Sequence, residues 1–383
     1  MKPTDLGHIE YLLSLRLQRA GNSPLSISWS ERACDDRILS VLCSRSFQWR
    51  SVTFRSGIDG YNFLSRYRGI FTGLKTLRLK FDSFSATRNR LDPRSLDVFH
   101  NSSSLTTLTI TGDFAVVGSL ASAQLPWSRI TSFSWDQLSN PGGIEVGRDY
   151  FEVLKRLENV HDCHLKVPGD IPRTVQPVSP VTLSHLYTLS LVDLEGFKTG
   201  PLLDRLTLPS LRDLSLDNPY EIVESLPCLI DRSHCHIECL TIRKASDEEL
   251  LAVLGARQLE GVHTLQTCGK WLSYTKRESV SGDVIAALTL QSGGEASRLL
   301  PSLRTLVLGG LPRWTDEQLL ELVAARSPRS LGRFAGNSVL PIEKIVFFRY
   351  EDNYSVLYME ATDRSGIREI GRAYDDPHLR TFI

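Results

Sequence analysis

The segment LRDLSL at residues 211–216 has leucine at its first, fourth and sixth positions. The last two leucines are two residues apart, so in a β-strand they point to the same face. Clean copies of this pattern also begin at Leu74, Leu105, Leu186, Ile237 and Leu303, and looser copies begin at Asn22, Trp49, Ile130, Val160, Val262 and Ile342. A strand this short cannot bury its apolar face alone, so we expect the twelve copies to stack as parallel strands over a continuous core.

The copies recur at a nearly constant period, which chance matches in leucine-rich helices would not produce. Seven of the eleven intervals between successive copies are 25–27 residues long. Most intervals carry a helical signal: capping boxes begin at Ser246 and Thr315, and apolar residues spaced by three and four occur at 38–42, 95–99 and 150–157. A strand, a turn and a helix in each repeat predict an α/β leucine-rich-repeat solenoid. Its repeats, about twelve and irregular, would place a parallel sheet on the concave side and helices on the convex side.

The composition excludes several classes of protein. The chain has 383 residues, and its 44 basic residues balance 44 acidic ones at a pI near 7.1. This balance gives no reason to expect binding to nucleic acid or to an anionic membrane. No apolar run approaches the ~20 residues of a transmembrane helix, and the first residues lack a signal-peptide pattern. Seven cysteines without regular spacing favour reduced thiols, so we expect an intracellular monomer, cytoplasmic or nuclear.

No linker divides the sequence into separate domains. We expect three parts along the chain: an N-terminal helix or cap at 1–21, the solenoid at 22–349, and a C-terminal cap at 350–383. The stretch 166–180 contains four prolines, which predicts a long loop in place of one repeat's helix, with a docking segment as the alternative. Two β-rich runs flank 351–354, which predicts a hairpin that caps the last repeat.

The sequence lacks the motifs of the common catalytic folds. It contains no Gly-x-Ser-x-Gly elbow, no phosphate-binding glycine loop, no Gly-x-Gly-x-x-Gly and no His-Glu-x-x-His. We therefore expect no catalytic residue and no cofactor, and we do not expect an enzyme.

Two short stretches are rich in the residue types that bind metals. The denser one comprises Cys228, His234, Cys235, His236 and Cys239. Its spacing matches no known zinc finger, so we interpret it as a helix end with buried thiols rather than as a zinc site. In the second, His161-Asp-Cys-His164, we expect Cys163 to point inward and both histidines to face solvent. We predict no metal at either stretch.

The outward positions of the repeats bear on binding. Each of the twelve copies has two positions that point outward from the sheet. Fourteen of these twenty-four positions are Ser or Thr, whose hydroxyls suit the surface of a sheet. Larger side chains lie beside them, mostly just before each strand. Our candidate partner-binding residues are Arg50, Arg55, Lys75, Arg78, Lys80, Tyr187, Arg212, His263 and Arg304. The first five form a basic patch over two neighbouring strands, which is either a solvated surface or a docking site for an acidic protein partner on the concave face or its rim.

Several stretches also resemble a known family. The motif Leu-Pro-Ser-Leu-Arg-x-Leu occurs at 208–214 and at 300–306, and YLLSLRLQRAGNSPLSI at 11–27 is followed by WRSVTF at 49–54. These stretches resemble the leucine-rich-repeat half of fungal F-box proteins, over nearly the whole chain. The resemblance implies a non-catalytic protein-interaction solenoid that recognises substrates for a cullin-type ubiquitin ligase. The alternative is a free-standing leucine-rich-repeat scaffold or inhibitor-like protein unrelated to ubiquitin ligation.

The sequence departs from that family's pattern in two ways. The F-box, which binds the ligase adaptor, is expected upstream of residue 1 and is absent here, so we expect residues 1–383 alone not to bind the adaptor. The ninth position of the repeats, where an Asn ladder would bond the turns, holds Asp82, Asp113 or a scatter such as Leu194, Pro219 and Leu311. The turns must therefore satisfy their backbone groups in other ways.

Overall fold

The protein is described from a computed structural model. It covers residues 3–30, 36–56, 58–67, 70–81, 93–112, 120–137, 144–167, 180–193, 199–219, 221–268, 271–273, 276–289, 299–326, 340–348, 357–362 and 366–372. The chain divides into two compact units, Met1–Leu186 and Tyr187–Ile383. The predicted boundaries at residues 21 and 349 stay a prediction. Residues 168–179 of the proline-rich stretch lie outside the described residues.

The first unit contains six parallel strands that pair in chain order, followed by a two-residue strand. These are β1 (Leu25–Ser30), β2 (Trp49–Ser56), β3 (Thr76–Phe81), β4 (Thr107–Gly112), β5 (Ser132–Gln137), β6 (Asp162–Val167) and β7 (Val181–Thr182). Its helices are α1 (Pro3–Ala20), α2 (Asp36–Cys43), α3 (Ile58–Leu64) and α4 (Ile144–Arg156). Short 3-10 turns also occur between the strands, at Ser46–Gln48, Ser65–Tyr67, Pro93–Phe99, Leu120–Ser122 and Trp127–Arg129.

The second unit also contains six parallel strands in chain order, with short strands inserted between them. The strands are β8 (Thr188–Asp193), β9 (Leu206–Thr207), β10 (Asp213–Asp217), β11 (Cys239–Arg243), β12 (Thr264–Cys268), β13 (Trp271–Ser273), β14 (Lys276–Ser281), β15 (Thr305–Gly309), β16 (Leu311–Arg313), β17 (Lys344–Phe348), β18 (Leu357–Thr362) and β19 (Gly366–Arg372). The helices are α5 (Thr199–Leu203), α6 (Ile222–Ser233), α7 (Asp247–Leu254), α8 (Gly282–Leu288) and α9 (Asp316–Ala325), with a 3-10 turn at Arg257–Leu259. The six parallel strands are β8, β10, β11, β12, β15 and β17.

Equivalent repeat positions lie opposite one another in these ladders. Leu214 on β10 faces Leu189 on β8 and Leu240 on β11. The clean repeats' inward leucines are at most 1% exposed: Leu77, Leu108, Leu189, Leu214, Leu240 and Leu306. All twelve predicted strands occur, six in each unit, which confirms the α/β leucine-rich-repeat solenoid.

Helices α7 and α9 begin where their capping signals predict. The Ser246 side chain accepts a hydrogen bond from the Glu249 amide at 3.2 Å, and the Glu249 carboxylate accepts one from the Ser246 amide at 3.1 Å. Thr315 and Gln318 repeat this capping box at the start of α9. Each box satisfies two amides at the helix N-terminus that have no partner within the helix.

Buried tyrosines and left-handed residues take over the role of the missing Asn ladder. The Tyr61 hydroxyl, from α3, donates to the carbonyls of Phe54 at 3.1 Å and Lys80 at 3.3 Å. The Tyr150 hydroxyl donates to the carbonyl of Lys166 at 3.2 Å. These three carbonyls lie near the ends of β2, β3 and β6, where a turn leaves backbone groups without a ladder partner.

In the second unit the backbone itself closes some of these turns. Asn218 and Lys244 follow β10 and β11 with φ of 58° and 62°. Their amides donate to the carbonyls of Arg243 at 2.8 Å and Cys268 at 2.7 Å. The left-handed conformation is costly for Lys, and a 2.7 Å ion pair between Lys244 Nζ and Asp217 helps to hold it.

Two arginines on the helical side bond backbone carbonyls of the preceding repeat. Arg232, in the last turn of α6, donates to the carbonyls of Leu203 and Leu206 at 2.7 Å. Arg326, just after α9, bonds the carbonyl of Leu288 at the end of α8. Arginine suits this task because its planar fork reaches several acceptors at once.

The structure contains short strands that the repeat pattern does not predict, and it places the C-terminal hairpin later in the chain than expected. In the interval 268–300, β13 and β14 pair antiparallel, and β14 pairs parallel with β16. Near the C-terminus, the first β-rich run forms β17, the last parallel strand, and the hairpin consists of β18 and β19. Residues 351–354 lie outside the described residues.

Candidate protein-binding surface

The side of the strands that points away from the core is called the outward face here, and it presents the predicted polar rows. Ser51, Thr76, Thr107 and Ser132 lie side by side on successive strands of the first unit. In the second unit the Thr241 hydroxyl donates to the Gln266 side-chain oxygen at 3.3 Å across β11 and β12. Val346 shares the register position of Val307 on β15, the outward position that the alternation of the strand predicts, but its side chain is only 2% exposed. It is an apolar side chain on the last parallel strand, and β18 lies alongside that strand.

The structure brings the five predicted basic residues together on β2 and β3 and just before them. We call this group the basic patch; its members are Arg50, Arg55, Lys75, Arg78 and Lys80, all exposed. Arg55 lies opposite Lys80, and the Lys75 amide donates to the Arg50 carbonyl at 2.8 Å. In the described part of the chain, no carboxylate lies within 4.0 Å of the charged nitrogens of Arg50, Lys75, Arg78 and Lys80.

The other four candidates lie in one line, at the residue that precedes a strand in the second unit. We call this line the rim row; its members are Tyr187, Arg212, Glu238, His263, Arg304 and Glu343. Each amide after the first donates to the carbonyl of the preceding member at 2.8–3.0 Å. The row therefore has a fixed backbone, and each side chain lies beside its two neighbours.

The arginines of the rim row are compensated, unlike Arg50, Lys75, Arg78 and Lys80 within the described residues. Arg212 forms an ion pair with Glu238, and Arg304 forms one with Glu343 at 3.4 Å. The Arg212 guanidinium also lies over the Tyr187 ring, 5.8 Å from its centroid. Sequence reasoning missed Glu238 and Glu343, although both occupy the same repeat position as the arginines. Comparison of the residues just before each strand would have revealed them.

Electrostatic pairing also occurs on the outward face of the first unit. Lys166 on β6 forms an ion pair with Asp136 on β5 at 3.4 Å. His164 lies two residues before this lysine and is half-buried. Burial lowers the pKa of His164, Asp136 opposes that shift, and Lys166 adds to it. The lowered pKa favours the neutral form of the imidazole.

The cysteines and histidines of the candidate metal stretches are dispersed. Cys228 is exposed on α6, Cys235 is buried, and His234 ends α6 with φ of 50°. His236 packs against Gly261, where an added Cβ would lie 2.1 Å from the imidazole. In the second stretch, Cys163 is buried, His161 is exposed and His164 is half-buried. Within the described ranges no group of three or more His, Cys, Asp or Glu side chains could hold a metal ion. That both stretches bind no metal in solution remains a prediction.

Comparisons with known proteins add little to this picture. No family model matches the chain, and no curated protein matches it. Among solved structures, this protein is similar to a protein chain in the crystal structure of the Rad7 and Elc1 complex in yeast, with 16% sequence identity and a TM-score of 0.38. The match covers 97% of this chain and 89% of that chain. A similarity this low supports no conclusion about fold or function. The fold assignment therefore depends on the strands and their pairing. No helix in the described residues has the length and apolarity of a membrane-crossing segment.

Proposed function

We propose that this chain is a non-catalytic protein-binding solenoid that docks an acidic partner protein on the outward face of its first unit. The observation that carries the proposal is the basic patch. Four of its five members have no carboxylate partner in the described residues, whereas the arginines of the rim row each pair with a glutamate. Uncompensated like charges on adjacent strands repel one another, and an acidic surface relieves that repulsion on binding.

The surroundings of the patch favour a protein partner. Its neighbours on the outward face include Ser51, Thr53, Thr107 and Thr109, which provide hydroxyls that donate and accept hydrogen bonds. The patch lies on a rigid sheet, so binding needs little reorganisation of the backbone. Charged contacts on such a surface mainly increase the association rate and the specificity.

The buried cysteines are poorly suited to nucleophilic chemistry. Burial raises the pKa of the Cys43 and Cys163 thiols to about 12 and that of the Cys235 thiol to about 11. These thiols stay protonated at neutral pH, and a protonated thiol is a weak nucleophile. These three thiols therefore supply no activated nucleophile for an enzymatic role.

A charge-reversal experiment tests the docking site. The variant Arg78→Glu/Lys80→Glu should weaken binding to the acidic partner by about tenfold or more and reduce the salt dependence of the association rate. The matched control is Arg129→Glu/Arg156→Glu, which reverses two exposed basic residues outside the strands. Equal binding by the two variants, measured by surface plasmon resonance with the partner recovered by crosslinking, would refute the docking site.

We further propose that this binder serves as the substrate-recognition part of an F-box-type subunit of a cullin ubiquitin ligase. The stretches at 11–27, 208–214 and 300–306 support this role by their resemblance to that family. The test is affinity purification of the full gene product. Recovery of the ligase adaptor with it would support the ligase role. Its absence, with the partner still bound, would favour the free-standing scaffold or inhibitor-like alternative.

A further inference from the structure

The rim row contains a second, chemically different feature at Tyr187, Arg212 and Glu238. Tyr187 is 43% exposed, although it is a large aromatic residue. The side chain of Arg212 is 50% exposed and that of Glu238 is 30% exposed. Tyrosine and arginine are among the residue types that contribute most to binding at protein interfaces. Here one of each lies side by side on the surface of a rigid ladder.

Arg212 is held on two sides before any partner arrives. Its guanidinium lies over the Tyr187 ring on one side and pairs with the Glu238 carboxylate on the other. The backbone fixes all three residues, because the Arg212 amide donates to the Tyr187 carbonyl at 3.0 Å and the Glu238 amide donates to the Arg212 carbonyl at 2.8 Å. A mobile arginine loses conformational entropy on binding, and an arginine already held in place loses less.

The charge of this group indicates what it would accept. Glu238 compensates the charge of Arg212, so a partner's carboxylate would gain little here and would meet the repulsion of Glu238. A flat aromatic ring has no such penalty, because it can stack on a guanidinium plane or pack against a tyrosine ring. The same row offers a comparison: Arg304 pairs with Glu343, but it forms no cation–π contact with a tyrosine, phenylalanine or tryptophan ring within the described residues.

We propose that Tyr187, Arg212 and Glu238 form a preordered anchor for an aromatic side chain of a partner protein. This inference rests on the proposed protein-binding function but concerns a surface separate from the basic patch. The anchor supplies aromatic contact, whereas the patch supplies charge complementarity.

A displayed random-peptide library, selected on the immobilised full chain, tests the anchor without a known partner. We expect bound peptides that share an aromatic residue and lose about tenfold or more in affinity on Tyr187→Ala or Arg212→Ala. Tyr187→Phe should keep the affinity because the ring remains. Arg304→Ala, in the same row, should leave it within about twofold. Replacing the shared aromatic residue of the peptide by leucine should cause the same loss as Tyr187→Ala.

The outcomes separate this inference from the proposed function. The anchor is supported if peptides no longer bind the Tyr187→Ala variant but still bind the Arg78→Glu/Lys80→Glu variant. If peptide binding is lost only in the Arg78→Glu/Lys80→Glu variant, the result supports the docking site and overturns the anchor. Peptides that bind every variant as well as the wild type, or a selection that returns no aromatic residue, also overturn the anchor.

Discussion

The Nε of Arg326 donates a hydrogen bond to the carbonyl oxygen of Leu288 at 2.9 Å, across 38 residues of sequence. The same guanidinium bonds the carbonyls of Leu300 at 2.9 Å and Leu299 at 2.5 Å. Arg326 is only 1% exposed, and burial lowers its pKa to about 10, so it keeps its charge at neutral pH. One buried cation therefore joins the end of α8 to the segment that leads into β15.

Replacing Arg326 by methionine should strongly destabilise the second unit. The substitution keeps an apolar side chain of similar length but leaves three buried carbonyls without this donor. Each carbonyl left without a donor costs about 1–3 kcal/mol, and the Leu300 carbonyl keeps the Leu303 amide as a donor, so we expect a loss of about 2–6 kcal/mol in the free energy of unfolding. Urea denaturation measures it. Arg304→Met, at a position 47% exposed, is the control, and similar losses in both variants would contradict this prediction.

Replacing Tyr61 by phenylalanine should test the role of its hydroxyl in closing the turns. The variant keeps the buried ring and removes the donor shared by Phe54 and Lys80. We expect a loss of about 1–2 kcal/mol in thermal or urea unfolding. The control is Tyr67→Phe, whose hydroxyl bonds the exposed Ser40 hydroxyl at 3.2 Å. Tyr67→Phe should change stability by under about 0.5 kcal/mol, and the reverse order of effects would refute the role of Tyr61.

Replacing Leu214 by alanine should leave a cavity between β8 and β11. Leu214 is fully buried between leucines of the neighbouring strands. We expect a loss of about 2–5 kcal/mol in the free energy of unfolding, as for other buried leucines. Ser215→Ala, on the outward face of the same strand, should be nearly neutral. A stable Leu214→Ala protein would show that this position does not belong to the core.

The described cysteines should react with alkylating reagents in an order set by burial. Cys228 is exposed, whereas Cys163 is buried and its pKa is raised to about 12 by burial and by the charge of Asp162. We expect Cys228 to be modified first in the folded protein and Cys163 only after unfolding. Mass spectrometry of digested, partly alkylated protein locates the modified residues. Early labelling of Cys163 would contradict the structure.

The raised thiol pKa values also predict how stability depends on pH. The folded state keeps Cys163 protonated up to a pH of about 12, whereas the unfolded thiol ionises near the ordinary value of 9.0. Its contribution to stability is therefore complete below the unfolded pKa and is lost as the pH rises toward the folded one. In Cys163→Ser this part of the alkaline loss should be absent, which urea titrations at several alkaline pH values would measure. An unchanged alkaline slope would contradict the assignment.

Zinc analysis tests the interpretation of the stretch from Cys228 to Cys239. We expect protein purified without chelator to contain far less than one zinc ion per chain, measured by elemental analysis. A stoichiometric value that falls on substitution of Cys235 would show that these side chains converge on a metal.

The periodic parts of the fold could be predicted from the sequence because they depend on local spacing. Leu214 and Leu240 recur at one repeat position, and Ser246 and Glu249 are three residues apart. Contacts between repeats were harder to predict. The Arg212–Glu238 pair depends on which strand positions become neighbours, and the bond from Tyr61 to Lys80 depends on where a helix packs.

The candidate binding residues were predictable in type but less so in environment. The basic patch is contiguous in space because its residues recur in consecutive repeats. Whether a cation is compensated depends on the next repeat, where Glu238 and Glu343 lie. The burial of Val346 could not be predicted, because the two-residue alternation of a strand assigns it to the outward face and says nothing of what lies alongside β17.

The turns of this solenoid are closed by different groups in different repeats: a tyrosine hydroxyl beside β2, β3 and β6, and left-handed Asn218 and Lys244 after β10 and β11. Repeats built this way are not interchangeable, because the donor that closes a turn differs from one part of the solenoid to another. Duplication or deletion of one repeat would leave carbonyls without donors at the new junction. We therefore expect this protein to diversify by substitutions on its outward face rather than by gain or loss of repeats. A consensus repeat designed from its sequence would not stack.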